Sequence, residues 1–285
     1  MEAIKHTGVV AIWNEIDPLL EVVDIQKTSE HLQARFHHGS YAGQKVTLAE
    51  VGMGKVQAAA ACQHLIDVHG VDLLVSCGSA GAIDPRLEIG DVVLADRVVP
   101  HDFGVYNKQD FIYLGVVDNR SYDGMHYHRH LSPDPAILEK AQSIATSFEW
   151  PDAPTRVHTG CLVSGDQVIA SGEKKRWLSD NFDALAVEME AGAVAHTAVL
   201  NGLPWLAVRA VSDKADHSTD IDYASMVIYS DEESGLLAKA RKRISSFAEV
   251  ATDPAQLKAI LELQKGLKVA AKNAAFVVTA IIKEI

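Results

Sequence analysis

The sequence predicts an α/β fold: a largely parallel sheet covered by helices on both faces, in one domain. Two observations carry this. Continuous apolar runs bounded by turn residues recur along the chain, the pattern of strands buried on both faces. Helical stretches separate those runs, the alternation from which parallel sheets are built. With 285 residues the chain has room for one large unit of this kind.

The elements follow in order. Residues 9–12 read as a short central strand, and Pro18 sits near the first turn of a helix, where its missing N–H costs little. Strand-like runs cover 33–36 and 46–51, and Gly52 and Gly54 then open an alanine-rich helix over 55–69. Residues 71–77 and 92–98 are dominated by apolar residues and read as buried strands. The stretch 103–135 mixes Asp, Asn, Gly, Tyr and His and is the least regular, with Pro133 and Pro135 leading into a helix over 136–148. Strand signals return at 157–163, 184–187 and 205–211, with a helix over 189–201 ended by Gly202 and Pro204. A terminal helical region over 257–284 is expected to break near Gly266. No internal repeat, low-complexity tract or linker is visible.

Composition excludes several classes. The chain is 48% hydrophobic and 22% charged, the balance of a globular protein with an ample core. Its net charge of −12 disfavours a nucleic-acid partner, because such binding draws on clustered Lys and Arg. Cys62, Cys77 and Cys161 form no CxxC pair, so neither a zinc site nor a disulfide framework is suggested, and a reducing, cytoplasmic setting is expected. The start of the chain lacks a signal peptide's basic segment and apolar core. The apolar stretch 276–282 is too short to span a bilayer and lies between Lys272 and Lys283, so no membrane partner is expected.

Ligands in open parallel sheets lie beyond the carboxyl ends of strands, and three motifs stand at such ends. In GSAG (78–81) small residues let backbone amides approach a ligand, and Ser79 adds a hydroxyl; a tight turn would use the same residues. In AVEMEA (186–191), Glu190 falls in the first turn of a helix, where the dipole favours an ionised carboxylate suited to a pair of vicinal hydroxyls. Glu188 and Glu190 together could equally complement that helix end. In RAVSDKAD (209–216) the strand is so apolar that Arg209 must be paired or turned toward a pocket. Asp213 just beyond it is a candidate general acid if partial burial raises its pKa, or else a turn aspartate as Asp216 is read to be. A fourth segment, VSGDQVI (163–169), would offer backbone N–H and C=O groups to a planar base, with Val168 on its face. His126, His128 and His130 alternate in the irregular stretch and read as solvent-facing rather than as a metal site. Arg129 among them could meet a phosphate.

GSAG, VSGD, VEME and RAVSDKAD, in this order, resemble the nucleoside phosphorylase/nucleosidase superfamily, closest to its 5′-methylthioadenosine/S-adenosylhomocysteine nucleosidases. VGMGK (51–55), LEIGDVV (87–93) and HDFGV (101–105) fit the same pattern, and the similarity covers about residues 9–246 of a single domain spanning 1–285. The resemblance implies a three-layer α/β/α sandwich around a largely parallel mixed sheet. It implies cleavage of a purine nucleoside's N-glycosidic bond without a cofactor or metal. Asp213 would protonate N7 of adenine, with Ser212 orienting it. Glu190 and Met189 would hold the ribose, backbone groups at Val168 and Ile169 would read the base, and Tyr223 would stack near it. Ser79, Ala80 and Gly81 would line the ribose and nucleophile side, and Glu188 and Arg209 complete the set.

Related phosphorylases place a phosphate-gripping arginine three residues before the serine of the glycine loop. Ser76 stands there, so water is the implied nucleophile. The nucleosidases' water-activating glutamate aligns with Ile16; a one-residue shift makes Glu15 the base, with Asp17 on the other side. The alternatives are an adenine-nucleotide (AMP/ATP) nucleosidase, for which Arg129 would hold the 5′ phosphate, a purine nucleoside phosphorylase, and a non-catalytic nucleoside-binding module. By the same resemblance Val105 and Tyr106 would close a neighbour's pocket in a homodimer, with a hexamer as the alternative.

Overall fold

The computed structural model describes residues 4–108, 110–118, 126–147, 150, 155–215 and 254–285. Its centre is a nine-stranded sheet ordered β12-β11-β6-β13-β5-β1-β4-β3-β2. The first half of the chain supplies β1 (His6–Ile12), α1 (Asp17–Leu20), β2 (Asp24–His31), β3 (Ala34–Tyr41), β4 (Gln44–Val51), α2 (Lys55–His69), β5 (Leu73–Ala82) and β6 (Val92–Pro100). Four short strands follow, β7 (Gly104–Asn107), β8 (Asp110–Tyr113), β9 (Val116–Asp118) and β10 (His126–His128), and then α3 (Pro135–Ser147). The rest comprises β11 (Val157–Ser164), α4 (Gly172–Phe182), β12 (Ala184–Glu188), α5 (Ala191–Asn201), β13 (Trp205–Asp213) and α6 (Pro254–Glu284).

The sheet is mixed. β1 runs parallel to β4 and β5, β5 to β13, and β11 to β6 and β12. The antiparallel pairs are β2–β3, β3–β4, β13–β6 and β12–β5. Because β12 bonds to both β11 and β5, five strands close on themselves into a ring. The two-sided burial read from the apolar runs follows from strand alternation. Leu74 and Trp205 face one core shared with α2 and α5, whereas Leu73, Val75, Leu206 and Val208 face the other, shared with α3 and α6. That is the three-layer sandwich.

Several boundaries differ from the expectation. The strand expected at 33–36 is longer, and β2, which pairs with it, carries too few apolar residues to announce itself. GSAG is not a loop after a strand but the last part of β5. The helix expected from Met189 begins at Ala191, and the one expected over 136–148 is α3, Pro135–Ser147, with Phe148 outside the described residues. α6 does not break at Gly266. Glycine is required there for another reason: α6 crosses the end of β13 so closely that a Cβ on Gly266 would strike the Ser212 carbonyl. No helix among the described residues is long and apolar enough to cross a membrane.

Candidate active site

Strand register brings the three motifs together. β5 lies between its two partners so that Ala210 pairs with Ser79, Val211 with Ala80 and Asp213 with Gly81 on one side, while Val187 pairs with Gly81 on the other. A pocket of about 250 Å³ opens over this junction. Glu15, Ser79, Ala80, Gly81, Val168, Ile169, Glu188, Met189, Glu190, Arg209, Ser212 and Asp213 all line it. Tyr223 and Asp216 lie outside the described residues. Trp13, Leu263 and Leu267, which belong to none of the motifs, also line the pocket, as do Met53 of VGMGK and Gln167 of VSGDQVI. Met53 sits between two glycines, a signal of close approach that could have been followed. Leu263 and Leu267, one helical turn apart on α6, look like any apolar stripe.

Arg209 is the hub of the pocket floor and is only 2% exposed. Its guanidinium lies 2.7 Å from Glu188, 3.4 Å from Glu190 and 3.6 Å from Glu15, and it donates to Ser76 Oγ at 2.8 Å. Burial alone would lower its pKa, but the three carboxylates outweigh that and hold it raised. Ser76, the position of the phosphorylases' arginine, is therefore already engaged by this cation.

Glu15 projects from the turn between β1 and α1, where its N–H bonds to Ile12 O at 2.9 Å. Its carboxyl is 3% exposed; Oε1 accepts from the Ser79 hydroxyl, and Oε2 has no hydrogen-bond partner among the described residues. Gly78 makes room for it, since a Cβ there would collide with Oε2. Burial raises the Glu15 pKa against the pull of Arg209 and Ser79. Its neighbours divide the alternatives spatially: Ile16 is in the core, and Asp17 is exposed in the first turn of α1.

The two glutamates of AVEMEA do different things. Glu188 Oε2 accepts the N–H groups of Glu190 and Ala191 at 2.8 and 2.7 Å, so Glu188 satisfies the start of α5. Glu190 is the N-cap residue itself, with φ −123° and no capping bond from its side chain. Its Oε1 accepts from Gly54 N at 2.8 Å. Glu190, expected in the first turn of the helix, stands one step before it as the N-cap; burial, opposed by Arg209 and assisted by Glu188, raises its pKa to about 7. Desolvation of a carboxylate outweighs a fractional dipole charge.

Asp213 ends β13 with both oxygens held. Oδ2 accepts from Ser212 Oγ and Oδ1 from Ala215 N, each at 2.8 Å. Lys175 donates to the Lys214 carbonyl, and Lys214 in turn reaches Leu87 O and Glu88, so Lys214 is held in place. The VSGD segment is tied down separately: Asp102 accepts from Asp166 N at 2.9 Å and from Lys55 Nζ at 2.6 Å. Val168 is exposed and Ile169 buried at the rim. No group of three or more His, Cys, Asp or Glu among the described residues is arranged to hold a metal ion.

Fold and pocket together define a small-molecule enzyme of the α/β class with its site at the strand ends. The sequence matches the family model of the phosphorylase superfamily over residues 7–283. It is 31% identical over 242 residues to the 5′-methylthioadenosine/S-adenosylhomocysteine nucleosidase of Mycobacterium bovis, spanning 79% of this chain and 91% of that protein. The nucleosidase of the same name from Chromohalobacter salexigens is 28% identical over 242 residues, 84% of this chain and 96% of that one. The crystal structure of the Neisseria meningitidis nucleosidase of that name in complex with methylthio-immucillin-A aligns with a TM-score of 0.73 at 27% identity, over 99% of this chain and 100% of that one. The chain belongs to the phosphorylase superfamily and groups within it with the nucleosidases, which are N-glycosyl hydrolases.

Proposed function

We propose that this enzyme hydrolyses the N-glycosidic bond of an adenine nucleoside of the 5′-methylthioadenosine/S-adenosylhomocysteine type and releases adenine. The observation that carries the reading is the enclosure of Glu15 against Ser79 while Asp213 lies beside Gly81, two residues further along the same strand. Two residues of extended chain span about 6.6 Å, enough for a sugar carbon and an attacking water between a base and an acid.

In this reading Glu15 takes the proton of the attacking water; its carboxyl lines the pocket, with Oε2 free of hydrogen bonds among the described residues and 3.6 Å from Arg209. Asp213 gives a proton to N7 as the bond to the base breaks. Ser212 Oγ serves either protonation state of Asp213: it donates to the ionised carboxylate, or accepts from the protonated one while donating to Ala80 O, 3.3 Å away. Glu190 and Met189 hold the ribose, and Ser79, Ala80 and Gly81 line its other side. Val168 and Ile169 present the backbone that reads adenine. Glu188 and Arg209 keep the floor charged but locally compensated.

Water rather than phosphate is supported by charge. Glu15, Glu188, Glu190 and Asp213 line the pocket, and Arg209, the one cation among its described lining residues, is engaged by three of them. The same shortage of cations, with apolar Trp13, Met53, Leu263 and Leu267 around the cavity, supports a thioether rather than a phosphate at the 5′ position. Arg129 is exposed and is not among the lining residues. Val105 and Tyr106 are 48% and 75% exposed on the β7–β8 hairpin, available to meet a second copy in a homodimer. All three cysteines are buried and free, which supports a cytoplasmic setting. With β1, β5, β12, β13 and α6 all reaching one pocket, the whole chain is read as one domain.

The test is adenine release from methylthioadenosine, with and without phosphate, for the native enzyme and Asp213→Asn. Release independent of phosphate is expected, with turnover of the variant reduced ~10²–10⁴-fold and nucleoside binding retained. A phosphate requirement would make it a phosphorylase; undiminished turnover of Asp213→Asn would remove the assigned acid.

A further inference from the structure

At the opposite end of β1 from Glu15, about 20 Å away along seven residues of strand, lies a second cavity, of about 550 Å³. Imidazoles build it. His6 comes from the start of β1, His31 and His38 from β2 and β3, and His64 and His69 from α2. Lys27 and Lys45 stand at its mouth, exposed, and neither forms an ion pair among the described residues. The carboxylates nearby are turned elsewhere. Glu30 on the rim is 3.7 Å from Arg35, Asp72 accepts the backbone N–H groups of Lys5 and His6, and Asp67 accepts from Gln63. His37, the other imidazole of this region, is hydrogen-bonded to Thr28 and Glu50.

We propose that this cavity binds a phosphate-like oxyanion and that the surrounding imidazoles take up protons from solvent as it enters. Three features support it. His69 Nε2 is enclosed and has no hydrogen-bond partner among the described residues. Thr47 Oγ1 lies 2.9 Å from His6 Nε2 and 3.3 Å from His38 Nδ1, and His38 Nε2 lies 2.9 Å from Ser29 Oγ. The Thr47 hydroxyl can donate to only one of those two rings, so at least one of them must donate its own N–H to Oγ1. Finally, burial first, then neighbouring imidazoles and lysines, lowers the pKa of His38, His64 and His69, the last to about 4. No carboxylate accepts a hydrogen bond from these rings among the described residues, and an oxyanion supplies an acceptor that can.

A transition metal is the obvious rival, and ring geometry argues against it. His31 and His64 stack with centroids 4.4 Å apart and planes at 26°, and His69 meets His64 edge-on at 80°, so their nitrogens do not converge. Ligand lone pairs must aim at one point.

Inorganic phosphate is titrated into the native protein and into the double variant Lys27→Ala/Lys45→Ala, at about pH 6 and about pH 8, with calorimetry and imidazole NMR signals as readouts. Saturable one-site binding is expected, with shifts at His64 and His69. Each proton taken up strengthens it by up to about tenfold per pH unit on acidification. Loss of both lysines is expected to weaken it at least about tenfold, with adenine release unchanged. Binding that does not saturate at the lower pH, or that the double variant retains in full, overturns the proposal. So does displacement of the same ring signals by stoichiometric zinc but not by phosphate. The exposed lysine variants keep the test open should substitution of the buried rings prevent folding.

Discussion

At the scale of single residues, the buried carboxyls set the pH behaviour. Glu15 has a pKa raised by burial, and a base must be ionised to work. The acid limb of kcat/KM is therefore expected above the ordinary glutamate value of about 4.3, and a pH–rate profile with its limb at or below that value would remove Glu15 from the role. Stability runs the other way. A carboxyl that holds its proton more tightly folded than unfolded stabilises the fold below its unfolded pKa, and that contribution fades as pH rises through the folded pKa. Glu190, raised to about 7, carries this window to neutrality. Relative to Glu190→Gln, the native enzyme is expected to lose melting temperature between about pH 5 and about pH 8. A Glu190→Gln profile as steep as the native one would show that another group dominates.

At the scale of elements, legibility tracked local chemistry. Helix α2 was readable at both ends because Gly54 and Gly70 bracket an uninterrupted alanine-rich run. Strand β2 was not, because Asp24–His31 is a solvated edge with no apolar alternation, and α4 was passed over because only Leu178 of its eleven residues is fully buried. Within the pocket, the motif residues were legible since each motif lies at the end of an apolar strand. The rise in Glu190's pKa is not legible, because the sequence displays its place by the helix but not the depth of its burial. Leu263 and Leu267 were invisible because only packing decides which face of α6 overhangs β13. That overhang is testable through Gly266. Gly266→Ala places a methyl against the Ser212 carbonyl and is expected to cost about 1–3 kcal/mol by overpacking. Because Ser212 and Asp213 move with it, KM or kcat should suffer as well. Urea unfolding and steady-state kinetics read the two effects, and a neutral substitution would mean that α6 yields without disturbing β13.

At the scale of the whole molecule, Arg209 joins three segments that are distant in sequence: the turn after β1, the floor of β5 and the junction of β12 with α5. Removing it strands three buried carboxylates without their shared cation. Arg209→Met is expected to lose about 3–5 kcal/mol, the cost of breaking a buried ion pair, and to regain part of this in the added presence of Glu188→Gln. Chemical denaturation of both variants would measure the difference; full stability of the single variant would mean that solvent already reaches the cluster. The five-strand ring has one more consequence. β13 is the last of its strands in the chain yet sits between β5 and β6, wedged into a place that earlier segments must leave vacant. A polypeptide emerging from the ribosome thus holds GSAG and VEME long before it can assemble anything around a ligand. Fragments cut between β12 and β13 should be inert separately and regain turnover only when mixed.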